Sequence, residues 1–277
     1  MTEPTVERIA GALGAEIHGL DLARGLDDDG VTFVRRALLD HLVVFFRDQT
    51  LTPAEFAAFG RRFGKLARYP FVEGLPGHPE VIEVKKLEHE RVNFGGVWHS
   101  DTAYLEEPPM ASMLLALEVP PTGGDTLFAN MYAAYETLSD GMKRLLAGLK
   151  AVNSSAVADV TRTREDRIAS NPGKAKGQVF EAAHPVVRTH PETGRKALYV
   201  NCAHTVRFDG MSVEESASLL SFLYAHQTKP EFTCRFRWQV GSLAFWDNRA
   251  AQHNPINDYH GYRRRMHRIT LAGDRPR

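Results

Sequence analysis

Residues 232–246 read Phe-Thr-Cys-Arg-Phe-Arg-Trp-Gln-Val-Gly-Ser-Leu-Ala-Phe-Trp. Two short runs within them, Phe232 to Trp238 and Ser242 to Trp246, carry the aromatic and apolar side chains that suit a pleated sheet, so both are predicted strands. On the C-terminal side His267 to Leu271 is a further strand. On the N-terminal side Ala197 to Asn201, Pro185 to Arg188, Ala111 to Leu117 and the segment around Val81, Ile82 and Val84 read the same way, and Ala15 to Leu22 alternates loosely enough for one more. Leu42-Val43-Val44-Phe45-Phe46 is a continuous apolar run, the pattern of a buried strand. Helices are fewer. Val31 to Leu39, after a turn at Asp28 to Gly30, offers Val31, Val34, Ala37 and Leu38 on one face. Thr52 caps a helix over Pro53 to Arg62, with proline in its first turn and Glu55 three residues in. Asn130 to Leu138 and Ser139 to Leu149 have helical composition, and Ser212 with Glu215 forms a capping box for Ser212 to Gln227. Many short strands and few helices predict a mainly β chain with flanking helices around a jelly-roll or barrel-like core, rather than an alternating parallel sheet.

At 277 residues the chain can bury one large core, so residues 1–277 are read as a single domain. Hydrophobic residues make up 43% and charged residues 25%, which excludes the disordered and membrane classes. Thirty-four basic residues balance 34 acidic ones. With no net field and no basic-aromatic interleaving, nucleic acid is not expected as a partner. No stretch approaches about 18 uninterrupted apolar residues, and no apolar run follows a basic segment at the start, so the chain is read as cytoplasmic and free of membrane. Cys202 and Cys234, without CxxC spacing, are expected as reduced thiols. The polar, aperiodic segment 153–178 is read as an active-site lid or insertion. A homo-oligomer stays open, because apolar helical faces serve a monomer's core or a homomeric contact equally.

His99 and Asp101 stand two apart in Trp98-His99-Ser100-Asp101, so extended backbone puts both on one side. His253, after the apolar run ending at Trp246 and the polar exit Asp247-Asn248-Arg249, is a candidate third partner. Two histidines and one carboxylate suit iron(II), leaving three positions for a chelator and oxygen. The same donors form an open zinc site, so a zinc hydrolase also stays open on spacing alone. So does an ordinary hydrogen-bonded arrangement, since His-x-Asp recurs by chance and 12 histidines offer many third partners.

More specific is an ordered set of motifs: Gly95-Gly96-Val97-Trp98-His99-Ser100-Asp101, Gly123-Gly124-Asp125-Thr126, Trp246-Asp247-Asn248-Arg249, Gln252-His253, and Arg263-Arg264-Arg265-Met266-His267-Arg268. In these, and over about Ala15 through Gly273, the chain resembles the taurine dioxygenase and 2,4-dichlorophenoxyacetate dioxygenase family, which depends on iron(II) and 2-oxoglutarate. The resemblance implies a double-stranded β-helix (jelly-roll) core, in agreement with the β-rich tail. It implies iron(II) on His99, Asp101 and His253, with 2-oxoglutarate and O2 as co-substrates. It also implies that Arg264 and Thr126 hold the distal carboxylate of 2-oxoglutarate and that Arg268 holds an anionic group of the primary substrate. A guanidinium fork fits a carboxylate in two-pronged fashion and a hydroxyl adds a directed donor. In a strand the even separation of Arg264 and Arg268 permits one face.

The implied reaction hydroxylates a small anionic organic molecule, a sulfonate such as taurine or a carboxylate, and yields succinate and CO2. A hydroxyl placed beside a sulfonate or an aryl ether would lead on to carbon-sulfur or carbon-oxygen cleavage. A non-enzymatic small-molecule binding protein on the same scaffold is the alternative. Two departures stand out. Arg68-Tyr69-Pro70-Phe71 does not reproduce the histidine and tyrosine of a taurine pocket, and His204 stands where the taurine enzyme has phenylalanine. Tyr69 and His204 are therefore read as substrate-facing, with a substrate other than taurine in view. Trp98, Phe245 and Trp246 are read as core or pocket aromatics and His267 as a supporting residue, none of them catalytic.

Overall fold

A computed structural model describes residues 3–158 and 178–277. Its larger sheet is built from β1 (Thr5–Arg8), β2 (Ala15–His18), β3 (Val43–Phe46), β4 (Leu66–Ala67), β5 (Ile82–Lys86), β6 (Ala111–Glu118), β14 (Leu243–Asp247) and β16 (Arg264–Leu271). The strand order is β1-β2-β3-β14-β6-β16-β4, with β5 also paired to β16. A smaller sheet faces it, in the order β13 (Thr233–Phe236), β7 (Thr126–Asn130), β15 (Ala251–Pro255). Apart from the parallel β2/β3 pair, the strands of both sheets run antiparallel. Beside them lie β8 (Lys150–Ser154) between β9 (Glu181–Pro185) and β12 (Thr205–Phe208), and a hairpin of β10 (Val187–Thr189) and β11 (Lys196–Leu198).

The apolar run of β3 has a simple cause. All four of its residues are buried, and they alternate between two cores. Val43 and Phe45 join Phe128, Phe236, Trp246 and Met266 between the sheets. Val44 and Phe46 join a second cluster with Phe56, Phe59, Phe245 and Ile269. The neighbouring strand β14 divides likewise, Ala244 and Trp246 going inward and Leu243 and Phe245 outward. A strand covered on both faces has no polar side to show, so alternation disappears from its sequence. The outer cover is α1 (Asp28–His41), through Val34, Ala37 and Leu38, and α2 (Pro53–Arg61), through Phe56 and Phe59. Helices α3 (Met131–Glu136), α4 (Asp140–Leu146) and α5 (Val213–Gln227) give Tyr132, Leu146, Leu220 and Leu223 to the inner core. This is the expected jelly-roll with flanking helices.

Local signals hold well where a cap defines an end. Thr52/Glu55 and Ser212/Glu215 both form complete capping boxes. Helix α1 starts earlier than expected: the Asp27 carboxylate accepts from Gly30 N, and Asp28 and Asp29 sit in the first turn, where a helix dipole favours negative charge. The polar residues that suggest a turn are the helix's own start. Asn130 is a cap rather than a helical residue, its side chain accepting from Tyr132 N and Ala133 N, and the residues before it form β7. Segment 153–178 does not begin as a loop. Asn153 and Ser154 finish β8, where Asn153 is fully buried and its amide oxygen accepts from Thr205 Oγ1 at 2.7 Å. A short 3-10 turn, Ser155–Val157, follows, and the remaining lid expectation, from residue 159 to 177, lies outside the described residues. Both cysteines are free thiols. Among the described residues no helix is long and apolar enough to cross a membrane.

Phe45 is central to the inner core, stacked on Phe236 at a centroid distance of 3.8 Å and edge-on to Phe128 at 5.6 Å. Phe45→Ala is expected to lower unfolding free energy by about 3–5 kcal/mol through lost burial and the cavity left behind, a change that a urea titration followed by circular dichroism measures.

Candidate metal centre and its two chambers

His253 lies on β15, and the segment before Asp101 is held to that strand by an isolated bridge. His99 N donates to His253 O at 3.0 Å and His253 N donates to His99 O at 2.9 Å. Directly paired residues present their side chains on the same face, and the two imidazole centroids stand 4.1 Å apart. Asn93 adds a second tie, its amide donating to Pro255 O at 2.9 Å. Extended backbone accounts for His99 only. The chain turns at Asp101, with Thr102 at a φ of 42°, and the turn returns the carboxylate to the histidines. Asp101 Oδ1 is 3.6 Å from His99 Nε2 and 3.9 Å from His253 Nε2. One ligand atom from each of the three buried residues lies within 4.8 Å of the others, so the set could hold a metal ion. Gly95 makes room for it: at a φ of +70°, a β-carbon there would come within 3.0 Å of His99 Cε1.

The protonation states suit the task. His99 Nδ1 is 2.7 Å from Val97 O, an acceptor that turns this nitrogen away from the cluster, and Nε2 is the nitrogen that faces Asp101. Burial, with His99 adding to it, holds His253 well below the ordinary imidazole value, so it is neutral. Burial pushes the Asp101 carboxyl up, but the Arg268 guanidinium beside it outweighs that and holds the group well below the usual carboxylate range. Neutral imidazole and ionised carboxylate are the forms that bind metal.

Two chambers adjoin the cluster. One includes Thr126, Trp238, His253 and Arg264 in its lining. The buried Arg264 guanidinium has no hydrogen-bond partner for Nε or Nη2 among the described residues, an arrangement that fits an incoming carboxylate. The indole of Trp238, a residue with no assigned part in the sequence reading, donates to Thr126 Oγ1 at 3.0 Å and lies 5.4 Å from the Arg264 guanidinium carbon. Because indole only donates, it takes a lone pair of the hydroxyl and leaves the Thr126 proton free to point elsewhere. The second chamber includes Tyr69, Thr102, Tyr104 and His204. The Tyr69 and Tyr104 phenols hydrogen-bond each other, and burial pushes the Tyr69 phenol up to about 12. Phe94, His99 and Arg268 belong to both linings. Arg268 pairs with Asp101 Oδ2 at 2.8 Å.

The candidate residues of the sequence are thus all gathered here: His99, Asp101 and His253 at the centre, Thr126 and Arg264 to one side, Tyr69 and His204 to the other, and Arg268 between. Trp246 lines the Arg264 chamber, whereas Phe245 turns into the outer core and His267 lines neither chamber. Ser112 was not legible as a site residue, yet its hydroxyl donates to Asp101 Oδ2 at 2.6 Å. Its only sequence signal is a small polar residue within an apolar strand.

The profile of the taurine catabolism dioxygenase TauD, TfdA family matches residues 5–270. The chain belongs to this family. Among its relatives, an alpha-ketoglutarate-dependent sulfate ester dioxygenase of Pseudomonas putida is 36% identical, over 99% of this chain and 91% of the relative. Among solved structures, a taurine dioxygenase from Burkholderia xenovorans superimposes with a TM-score of 0.84 at 37% identity, covering 99% of this chain and 92% of that one. AAD-2 in complex with Mn(II) and N-oxalylglycine gives 0.81 at 30% identity, covering 99% of each chain. As a member of the TauD, TfdA family the protein is a 2-oxoglutarate-dependent dioxygenase, with iron(II), 2-oxoglutarate and O2 as its cofactor and co-substrates. The buried His-Asp-His cluster and the unpartnered guanidinium suit those groups.

His204 supplies a test of the second chamber's dryness. Burial, with His99 adding to it, pulls its pKa down to about 3 from an ordinary value of 6.5. With the folded value below the unfolded one, only the unfolded chain takes up this proton between those limits, so stability falls as the pH drops through that window. His204→Phe removes the effect. For the metal-free protein, unfolding free energy from urea titrations between about pH 6 and about pH 4 should fall less steeply in the variant, by about 1.4 kcal/mol per pH unit.

Proposed function

We propose that His99, Asp101 and His253 hold the iron, that Arg264 and Thr126 hold the distal carboxylate of 2-oxoglutarate, and that Arg268, with Tyr69 and His204, receives a small organic anion, a sulfate ester or a sulfonate. One observation carries the reading: a buried three-donor cluster stands between two chambers, one lined by an unpartnered buried guanidinium and the other by a second guanidinium beside polar aromatics. The iron, when bound, supplies the oxygen chemistry that turns a C–H bond into C–OH while 2-oxoglutarate becomes succinate and CO2.

The protein's own part is to bind, orient and exclude water. Arg264 and the Trp238-oriented Thr126 hydroxyl fix one end of the keto acid, so that its other end meets the cluster. Trp246 and Phe128 wall this chamber with apolar surface, which strengthens the charge pairing. On the other side Arg268 meets the substrate anion while Tyr69, Tyr104 and His204 shape the space around it. The sulfate ester class is supported by the relative from Pseudomonas putida and by His204 and Tyr69, which depart from the taurine pattern. Hydroxylation of the carbon bearing the ester oxygen, R–CH2–O–SO3− to R–CH(OH)–O–SO3−, needs no further protein chemistry. The new hydroxyl loses its proton, the C–O bond to sulfate breaks, and an aldehyde and sulfate leave. We read the chain as one oxygenase domain, since β3 and β14 serve both cores, and its two free thiols suit a reducing, cytoplasmic setting.

Oxygen uptake and succinate release with iron(II), 2-oxoglutarate and a panel of alkyl sulfate esters, sulfonates and phenoxyalkanoates test this directly. Turnover stimulated by a sulfate ester with aldehyde and sulfate formed together is the expected result; stimulation by phenoxyalkanoates alone would overturn the substrate class, and no iron-dependent 2-oxoglutarate consumption would overturn the whole. Replacing His99, Asp101 or His253 by alanine should abolish turnover. Arg264→Met should weaken 2-oxoglutarate binding by at least about 30-fold, the equivalent of about 2 kcal/mol for a buried charge pair, with kcat recovered at saturating co-substrate.

A further inference from the structure

Behind Asp101 runs a chain of buried hydrogen bonds that the chemistry above does not use. Ser112 Oγ donates to Asp101 Oδ2 at 2.6 Å, Asn248 Nδ2 donates to Ser112 Oγ at 3.0 Å, and Trp246 Nε1 donates to Asn248 Oδ1 at 2.9 Å. Ser112 has no exposed surface, and Asn248, Trp246 and Asp101 are nearly as buried. The direction of every link is determined. Indole nitrogen can only donate, so Asn248 Oδ1 must face Trp246 and its amide nitrogen must face Ser112; the serine accepts from that amide, and its single proton goes to the carboxylate of Asp101, which can only accept. Asn248 itself is held by its backbone, N to Met110 O at 2.9 Å and O from Ser100 Oγ at 2.7 Å. The carboxylate of the preceding Asp247 is clamped by Arg249 at 2.7 Å and by His190 at 3.0 Å.

We infer that Ser112, backed by Asn248 and Trp246, is a positioning residue that reserves Oδ2 of Asp101 and so offers the metal one carboxylate oxygen, Oδ1. Oδ1 is the atom that faces both imidazoles, while Oδ2 is held by Ser112 and by Arg268 at 2.8 Å. The consequence is arithmetical. A six-coordinate ion held by two imidazoles and one oxygen would keep three positions, enough for a chelating keto acid and O2. A carboxylate rotated to give both oxygens would leave two, which the keto acid would fill alone. Trp246 therefore has a second part besides walling a chamber: its N–H sets the polarity of the relay. The inference rests on Asp101 being an iron ligand.

The test uses full-length protein freed of metal, loaded with Mn(II) in saturating 2-oxoglutarate, and reads the water-proton relaxation enhancement, which counts exchangeable waters on the ion. Wild type should show an exchangeable water. Ser112→Ala should lose about half of that enhancement or more, and bind Mn(II) about 10- to 100-fold more weakly in calorimetry, the usual penalty for removing the partner of a metal ligand. Asn248→Asp keeps the acceptor for Trp246 but loses the donor to Ser112; it should move the enhancement in the same direction, and it carries the comparison if Ser112→Ala is unfolded by circular dichroism. Wild-type enhancement in a folded Ser112→Ala or Asn248→Asp variant would sink the positioning role. Asp101→Ala separates the two claims: Mn(II) bound as tightly as by wild type would remove the ligand assignment beneath it, whereas lost binding there beside unchanged Ser112→Ala would remove the relay alone.

Discussion

Two backbone hydrogen bonds between His99 and His253 organise everything that is specific about this protein. They join an irregular loop to a strand of the smaller sheet, across 154 positions of sequence (253 less 99). A side-chain contact alone would leave either imidazole free to swing; a paired backbone fixes both Cα positions and the face from which both rings project. The Gly95 turn and the Asn93 tie to Pro255 keep that loop at the required depth. Asp101 is delivered by the same loop one turn later. Each element of the cluster thus depends on where β15 lies, and β15 lies where it does because β7 pairs with it residue by residue, His253 opposite Phe128.

The jelly-roll supplies the other half of the constraint. Arg264, Met266 and Arg268 alternate along β16, and Met266 reaches the inner core, so the two guanidinium groups are carried to the interior side of the larger sheet. Two buried cations are costly to keep out of water. Arg268 meets that cost with Asp101, whose charge it stabilises in return. Arg264 lacks an acidic side chain in hydrogen-bonding contact among the described residues, so its desolvation is a reserve of binding energy that an incoming carboxylate would draw on. The ion pair organises the cluster; the unpartnered cation is a buried charge that a carboxylate ligand would satisfy.

Much of this was legible from residue types in order. The doubly buried runs of β3 and β14 announce strands because aromatic and β-branched side chains serve both faces, and the capping boxes announce α2 and α5 because Thr52/Glu55 and Ser212/Glu215 satisfy the same donors in isolation as in the fold. The His-x-Asp pair, the distant histidine and the two arginines were legible through motif order rather than spacing, since nothing local brings residue 253 to residue 99. What stayed hidden depends on tertiary partners. Asn153 looks like loop until Thr205 accepts it into a sheet, Asp28 and Asp29 look like a turn until Asp27 caps them, and Ser112 and Trp238 carry no signal beyond one polar atom each. A serine in a strand is ordinary, and only the carboxylate 2.6 Å away gives it meaning.

The partition between the chambers has a thermodynamic corollary. Arg268 borders both cavities and also touches the carboxylate between them, so any two molecules that filled them would share its guanidinium. Whatever free energy one occupant gains or loses by shifting that group must reappear, with equal size, in the affinity of the other. With the keto acid in one cavity and the organic anion in the other, as proposed, their order of arrival would be a matter of kinetics alone, and their mutual influence would run through the residues both linings share, Phe94, His99 and Arg268.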